Sequence, residues 1–198
     1  MLLLFPSERP RFVREYATGS YGATAYFCSK LVTEVPLTFL TSLLAFLITY
    51  WMIGLRGSFI LEVLITWLIG LSAASTALLF GCAAKNAQQA VQASPVIFVP
   101  QILFAGLFVQ VDQIPVWVRW AQYLCSLRYG MNLYLLTEFG GGTCDPPHQK
   151  QCNTMLNAAN VDEQLWWVYV LLLIVIFLVL RVLGLLILVR KARGFALA

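Results

Sequence analysis

Charge is scarce in this chain. Asp, Glu, Lys and Arg make up 11% of its 198 residues, against 60% hydrophobic residues and a mean hydropathy of +0.79. So few charges cannot cover a soluble globule, and several apolar runs are long enough to cross a bilayer, which leaves an all-α polytopic membrane protein. Histidine is almost absent. His148 lies in Cys144-Asp145-Pro146-Pro147-His148-Gln149-Lys150-Gln151-Cys152, where the prolines prevent the helical geometry that would gather Cys144, His148 and Cys152 as metal ligands. Neither a metal site nor a catalytic constellation is expected. A G-x-x-x-x-G-K-[ST] phosphate loop is missing too: Gly140-Gly141-Gly142 lead into Cys144 and two prolines, not into a helix able to hold phosphate, so these residues cannot hydrolyse ATP alone. The net charge of +4 does not indicate nucleic acid, because the basic residues flank apolar runs instead of forming a patch on a polar face. No N-x-[ST] acceptor, internal repeat or low-complexity tract occurs. Residues 1–5 are too short for a signal-peptide core and read as a truncated end.

The apolar runs divide into four predicted spans. Pro10 and Gly19 bracket a short helix in which Phe12 and Tyr16 share a face and Arg11 and Glu15 are spaced i,i+4. It is expected to lie along the membrane surface. From residue 20 to about 55 no strong stop occurs; such a helix reaches roughly 50 Å, against a hydrocarbon thickness of about 30 Å, so its first turns must project from the membrane. Lys30 and Glu34, spaced i,i+4 near the boundary, are expected to pair, and Pro36 to kink the span. After the turn Gly54-Leu55-Arg56-Gly57-Ser58, a second span covers 59 to about 80, where Gly70, Ala74, Ala77 and Gly81 form a small-residue stripe suited to a neighbouring helix. A third, from 91 to about 109, carries Gln92, Pro95, Pro100 and Gln101, interruptions typical of a helix lining a cavity. The last runs from 166 to 189 and ends in Arg190-Lys191-Ala192-Arg193, toward which Arg181 is expected to snorkel. Placing 1–19 and Lys85 in the cytoplasm puts most Lys and Arg inside, as the positive-inside rule requires. The loop 112–164 is then external; its aromatic first half is expected to dip into the outer leaflet as two short helices broken around Ser126.

One stretch is more specific than any of these. Phe5-Pro6-Ser7-Glu8-Arg9-Pro10-Arg11-Phe12-Val13-Arg14-Glu15-Tyr16, continuing through Gly19, Tyr21, Tyr26, Lys30 and Glu34-Val35-Pro36, and later Arg128-Tyr129-Gly130, Glu138-Phe139 and the basic tail, resembles the permease half of G-type ABC transporters, the white and pleiotropic-drug-resistance group. The resemblance covers nearly the whole chain. It implies that 1–198 form the C-terminal four of six spans of an ABC-2 type transmembrane domain, with two further spans and an ATP-binding domain upstream. Residues 1–19 become a coupling segment, in which Glu8, Arg9, Phe12, Arg14, Glu15 and Tyr16 meet the ATPase domain. Val96, Val99 and Ile102 would line a substrate cavity at a dimer axis, and Leu107 and Phe108 would close it outward. In the external loop, an oxidising compartment favours a Cys144–Cys152 disulfide over a metal site; Cys28 and Cys82 are expected to be small packing residues.

The function so implied is ATP-driven export of a lipid, sterol or xenobiotic by alternating access. The expected partners are a nucleotide-binding domain supplying ATP and magnesium, a second permease subunit and membrane lipid, at the plasma membrane. A non-transporting four-span scaffold, or an incomplete gene fragment, is the competing reading.

Overall fold

The computed structural model describes residues 14–15, 22–84, 86–105, 119–140, 154, 156 and 165–196, and no strand occurs among them. The long elements are α1 (Ala23–Ile53), α2 (Phe59–Ala83), α3 (Ala87–Phe104), α4 (Ser126–Phe139) and α5 (Trp166–Ala196), with a 3₁₀ turn, Arg119–Leu124, ahead of α4. Among the described residues, three helices are long and apolar enough to cross a membrane: Thr24–Ile53, Phe59–Ala83 and Trp166–Arg190. The third predicted span corresponds to α3, 18 residues long with Pro95 and Pro100 inside it. The rest of that span, from 106 onward, lies outside the described residues. The chain is an all-α, multi-pass membrane protein.

Local chemistry sets the ends and irregularities of these helices. At 31 residues α1 extends about 46 Å, longer than the hydrocarbon layer, as its sequence requires. It stops at Gly54, which takes a left-handed conformation (φ 71°) and donates its N–H to Tyr50 O at 2.9 Å. A side chain there would be strained, so the tight turn into α2 depends on glycine. Pro36 lies inside α1 and removes one helical donor. Around it, Trp67 Nε1 of α2 donates to Val35 O at 3.3 Å, and Thr38 Oγ1 donates to Glu34 O and Val35 O at 2.9 and 3.0 Å. A neighbouring helix and a local hydroxyl thereby support the turn that proline weakens.

α2 is the hub, packing against α1, α3, α4 and α5. Ala77 and Gly81 of its small-residue stripe are buried, and a Cβ built on Gly70 would lie 3.6 Å from Ser42 Oγ of α1. Two apolar clusters hold the bundle. Near the basic end, Phe27, Leu78, Cys82 and Leu188 join α1, α2 and α5. Nearer the Gly54–Ser58 turn, Ile65, Tyr129, Leu133 and Leu173 join α2, α4 and α5. Cys82 is thus the packing residue that its sequence position implied, whereas Cys28 is exposed on α1.

α4 positions the site described below. The loop before it breaks at Cys125, between the 3₁₀ turn and α4, one residue from the expected break at Ser126. Gly130 packs so closely on α2 that an added Cβ would lie 2.2 Å from Ile69 Cδ1 and 2.4 Å from Cγ1. Since Ile69 follows the start of α2 by ten residues, α4 enters the bundle about 15 Å below the turn. α4 falls within the loop expected to form short re-entrant helices. Gly130→Ala is expected to destabilise the folded protein by about 1 to 3 kcal/mol through overpacking, with partial recovery on adding Ile69→Ala. Thermal unfolding of the purified protein in detergent checks both.

Candidate functional site

The predicted cavity residues lie on α3 and face away from the chain's own bundle. Val96 is 75% exposed, Val99 51% and Ile102 42%, and Val91 and Leu103 beside them are exposed as well. α3 packs through its other side, on α2, α4 and the 3₁₀ turn. Near its C-terminal end the Cys125 thiol donates to Gln101 O at 3.0 Å, tying α3 to the break before α4. Arg14 and Glu15 are helical and exposed. Glu8, Arg9, Phe12 and Tyr16 of the expected coupling segment, Leu107 and Phe108 of the expected closure, and Cys144 and Cys152 lie outside the described residues.

Two buried polar constellations connect the helices, and the sequence placed neither. The first overturns two expectations. Arg181 does not snorkel toward the basic end, and the ion pair of Glu34 is not a local one with Lys30: Arg181 Nη2 lies 2.6 Å from Glu34 Oε1, with the two side chains 4% and 2% exposed. Arg181 precedes Arg190 by nine residues, about 14 Å of helix, too deep for its head group to reach that end once α1 presents a carboxylate beside it. The guanidinium also lies over the Phe177 ring, 5.3 Å from its centroid. Lys30 instead lies over the Tyr26 ring at 5.6 Å. In hydrocarbon each charge would be prohibitive alone; together they fix α1 against α5 between the two apolar clusters.

The second constellation gathers where α4 meets the Gly54–Ser58 turn. Glu138, near the end of α4, accepts the backbone N–H of Arg56 at 3.0 and 3.2 Å and that of Gly57 at 3.0 Å. Tyr50 of α1 donates to Gly57 O at 3.2 Å. Tyr134 of α4 stacks on Phe46 and shares a hydrogen bond with the Thr66 hydroxyl, while Thr66 Oγ1 donates to Glu62 O at 2.7 Å. Glu62, in the first turn of α2, is 1% exposed and lies beside the Glu138 carboxyl against Gly57. Its Oε2 has no partner. A Cβ on Gly57 would press on Glu62 Oε1 and Glu138 Oε2, so a larger residue there would push the two carboxyls aside. The signals were present in sequence as Glu62 within an apolar run and Glu138 within the Glu138-Phe139 match, but neither indicates which carboxylate meets which turn.

Comparison with known proteins agrees with this architecture. Residues 1–139 match the family described as ABC-2 type transporter. Protein white of Drosophila melanogaster is 31% identical over 197 residues, covering 92% of this chain and 28% of the relative. The broad substrate specificity ATP-binding cassette transporter ABCG2 of Sus scrofa is 31% identical over 138 residues, covering 68% and 21%. ABC transporter G family member 21 of Arabidopsis thaliana is 28% identical over 166 residues, covering 82% and 24%. The chain therefore spans about a quarter of the length of these relatives.

Proposed function

Because the chain belongs to the ABC-2 type transporter family, as permease domain of the G subfamily, we propose that it forms the membrane path of an ATP-driven exporter of hydrophobic compounds. The observation that carries this reading is the outward apolar side of α3. Val96, Val99 and Ile102 are exposed in the single chain although they belong to a Pro-interrupted helix. A second permease subunit facing the same helix would turn that surface into an enclosed apolar chamber. Such walls suit sterols, lipids or flat aromatic compounds, since a polar substrate would need more hydrogen-bonding partners than α3 supplies. The name of the pig relative, with its broad substrate specificity, fits walls of this kind.

In this reading Leu107 and Phe108 close the chamber outward and Cys144–Cys152 orders the external loop. ATP and magnesium are handled by a nucleotide-binding domain of the same or a partner chain, whose closure moves the segment 1–19 and switches the chamber from inward-open to outward-open. The Gly54–Ser58 turn and α4 then lie on the external side, and the membrane is the plasma membrane.

The test uses the full-length protein in proteoliposomes, with fluorescent sterol, phospholipid and aromatic probes. ATP-dependent movement of at least one probe is expected. Val99→Asp is expected to reduce that movement roughly tenfold or more while leaving ATP binding intact, because a carboxylate in an apolar chamber must be desolvated when substrate enters. Folded protein that binds ATP and moves no probe would support the scaffold reading instead.

A further inference from the structure

A carboxylate is an acceptor only, so a hydrogen bond between two carboxyl side chains requires a proton on one of them. Glu62 and Glu138 share one enclosed corner beside the Gly57 backbone, where an added Cβ would meet Glu62 Oε1 and Glu138 Oε2 at once, so a proton on one of them is what lets the two carboxyls hydrogen-bond. The surrounding donors are divided unevenly. Glu138 takes the N–H groups of Arg56 and Gly57, an arrangement that favours its ionised form. Glu62 is almost fully enclosed and its Oε2 receives no donor. A charge there would be buried without compensation, whereas a neutral carboxyl can donate its proton to Glu138. We propose that Glu62 and Glu138 form a proton-binding site, in which a proton resident on Glu62 is shared with Glu138 and fastens α4 to the Gly54–Ser58 turn.

Among the described residues, the other charged or titratable groups around the pair are Arg56 in the turn, which is exposed and has interactions of its own, Tyr50 on α1 and Tyr134 on α4. Tyr50 is engaged with Gly57 O and Tyr134 with Thr66, so neither relieves the Glu62 carboxyl. A metal ion fits poorly here. The close approach of Gly57 fills the space beside both carboxyls, two backbone N–H groups point into the site, and no cluster of three or more His, Cys, Asp or Glu occurs among the described residues. Loss of the proton would leave two adjacent carboxylates in a desolvated corner, and their repulsion would drive α4 off the turn. The re-entrant helix is in this way sensitive to the proton concentration on its own side of the membrane.

The inference rests on the geometry of these side chains and not on the transport reading, so its test reads protonation directly. Infrared spectra of the full-length protein in lipid, recorded in H₂O and D₂O at neutral pH, are expected to show a protonated carboxyl band that exchanges slowly. It should be lost in Glu62→Gln, whose amide can still donate to Glu138, and kept in Glu138→Gln. A band that survives Glu62→Gln overturns the proposal, as does wild-type protein without a slowly exchanging band. If Glu62→Gln does not assemble, the protein with wild-type Glu62 still decides. Loss of the band in correctly folded Glu138→Gln would place the proton on Glu138 and refute the assignment, and its retention there supports it. Dependence of the band on sodium at fixed pH would identify a metal-cation site and refute it equally.

Discussion

Arg181→Leu is expected to destabilise the protein by about 3 to 5 kcal/mol, the largest loss foreseen for any single substitution in the bundle. The Glu34–Arg181 pair is closed at 2.6 Å with both side chains almost fully enclosed. Removing the guanidinium therefore strands a carboxylate that neither water nor lipid can solvate. Glu34→Gln should behave similarly but less severely, because the amide can still accept from Arg181. The combination Glu34→Met with Arg181→Leu separates the two contributions: replacing a buried pair by apolar groups of similar volume is often close to neutral, so the double variant should regain most of what either charge-stranding variant loses. Denaturation midpoints for the three variants in one detergent check this. Equal losses in Arg181→Leu and in the double variant would mean that packing of the long side chain, including its contact with Phe177, matters more than the charge.

Much of the architecture was legible because lipid simplifies the problem. In hydrocarbon the backbone must satisfy itself, so an uninterrupted apolar run has one structural outcome, and α1, α2 and α5 follow from run length alone. The Gly54 stop and the buried small residues Ala77 and Gly81 were equally readable, since each answers to a local steric rule. So was the break before α4, where an aromatic stretch exceeds what a surface hairpin needs. Pairing of buried charges was not readable. Lys30 and Glu34 satisfy the i,i+4 rule, yet that rule describes neighbours on one exposed helix face, and an exposed pair is worth only about 0.3 to 0.5 kcal/mol. Arg181, distant in sequence and enclosed beside Glu34, has far more to gain from that carboxylate. Glu62 was missed for the same reason: its partner lies across a turn and a re-entrant helix, and no periodicity encodes that meeting.

Arg14→Ala and Glu15→Ala are expected to separate ATP hydrolysis from transport in the full-length protein. Both residues are helical and exposed, nine and eight residues before α1 begins. α1 in turn is fixed to α5 by the Glu34–Arg181 pair and to α2 through Trp67 and Phe27. A force delivered to the start of α1 therefore reaches the centre of the bundle through that helix. The proposed docking places Phe12 and Tyr16 as apolar anchors in a groove of the ATPase domain, with Arg14 and Glu15 in the polar rim that sets register. Loss of one rim charge should leave nucleotide binding and folding near wild type, because neither side chain belongs to the packed core. Transport per ATP hydrolysed is expected to fall roughly tenfold, corresponding to a coupling free energy of about 1.4 kcal/mol. The measurement pairs substrate-stimulated ATPase with vesicle transport at matched surface expression. Wild-type ratios for both variants would remove the coupling role from this segment, and a parallel fall in nucleotide binding and surface expression would assign Arg14 and Glu15 to folding of the helix instead.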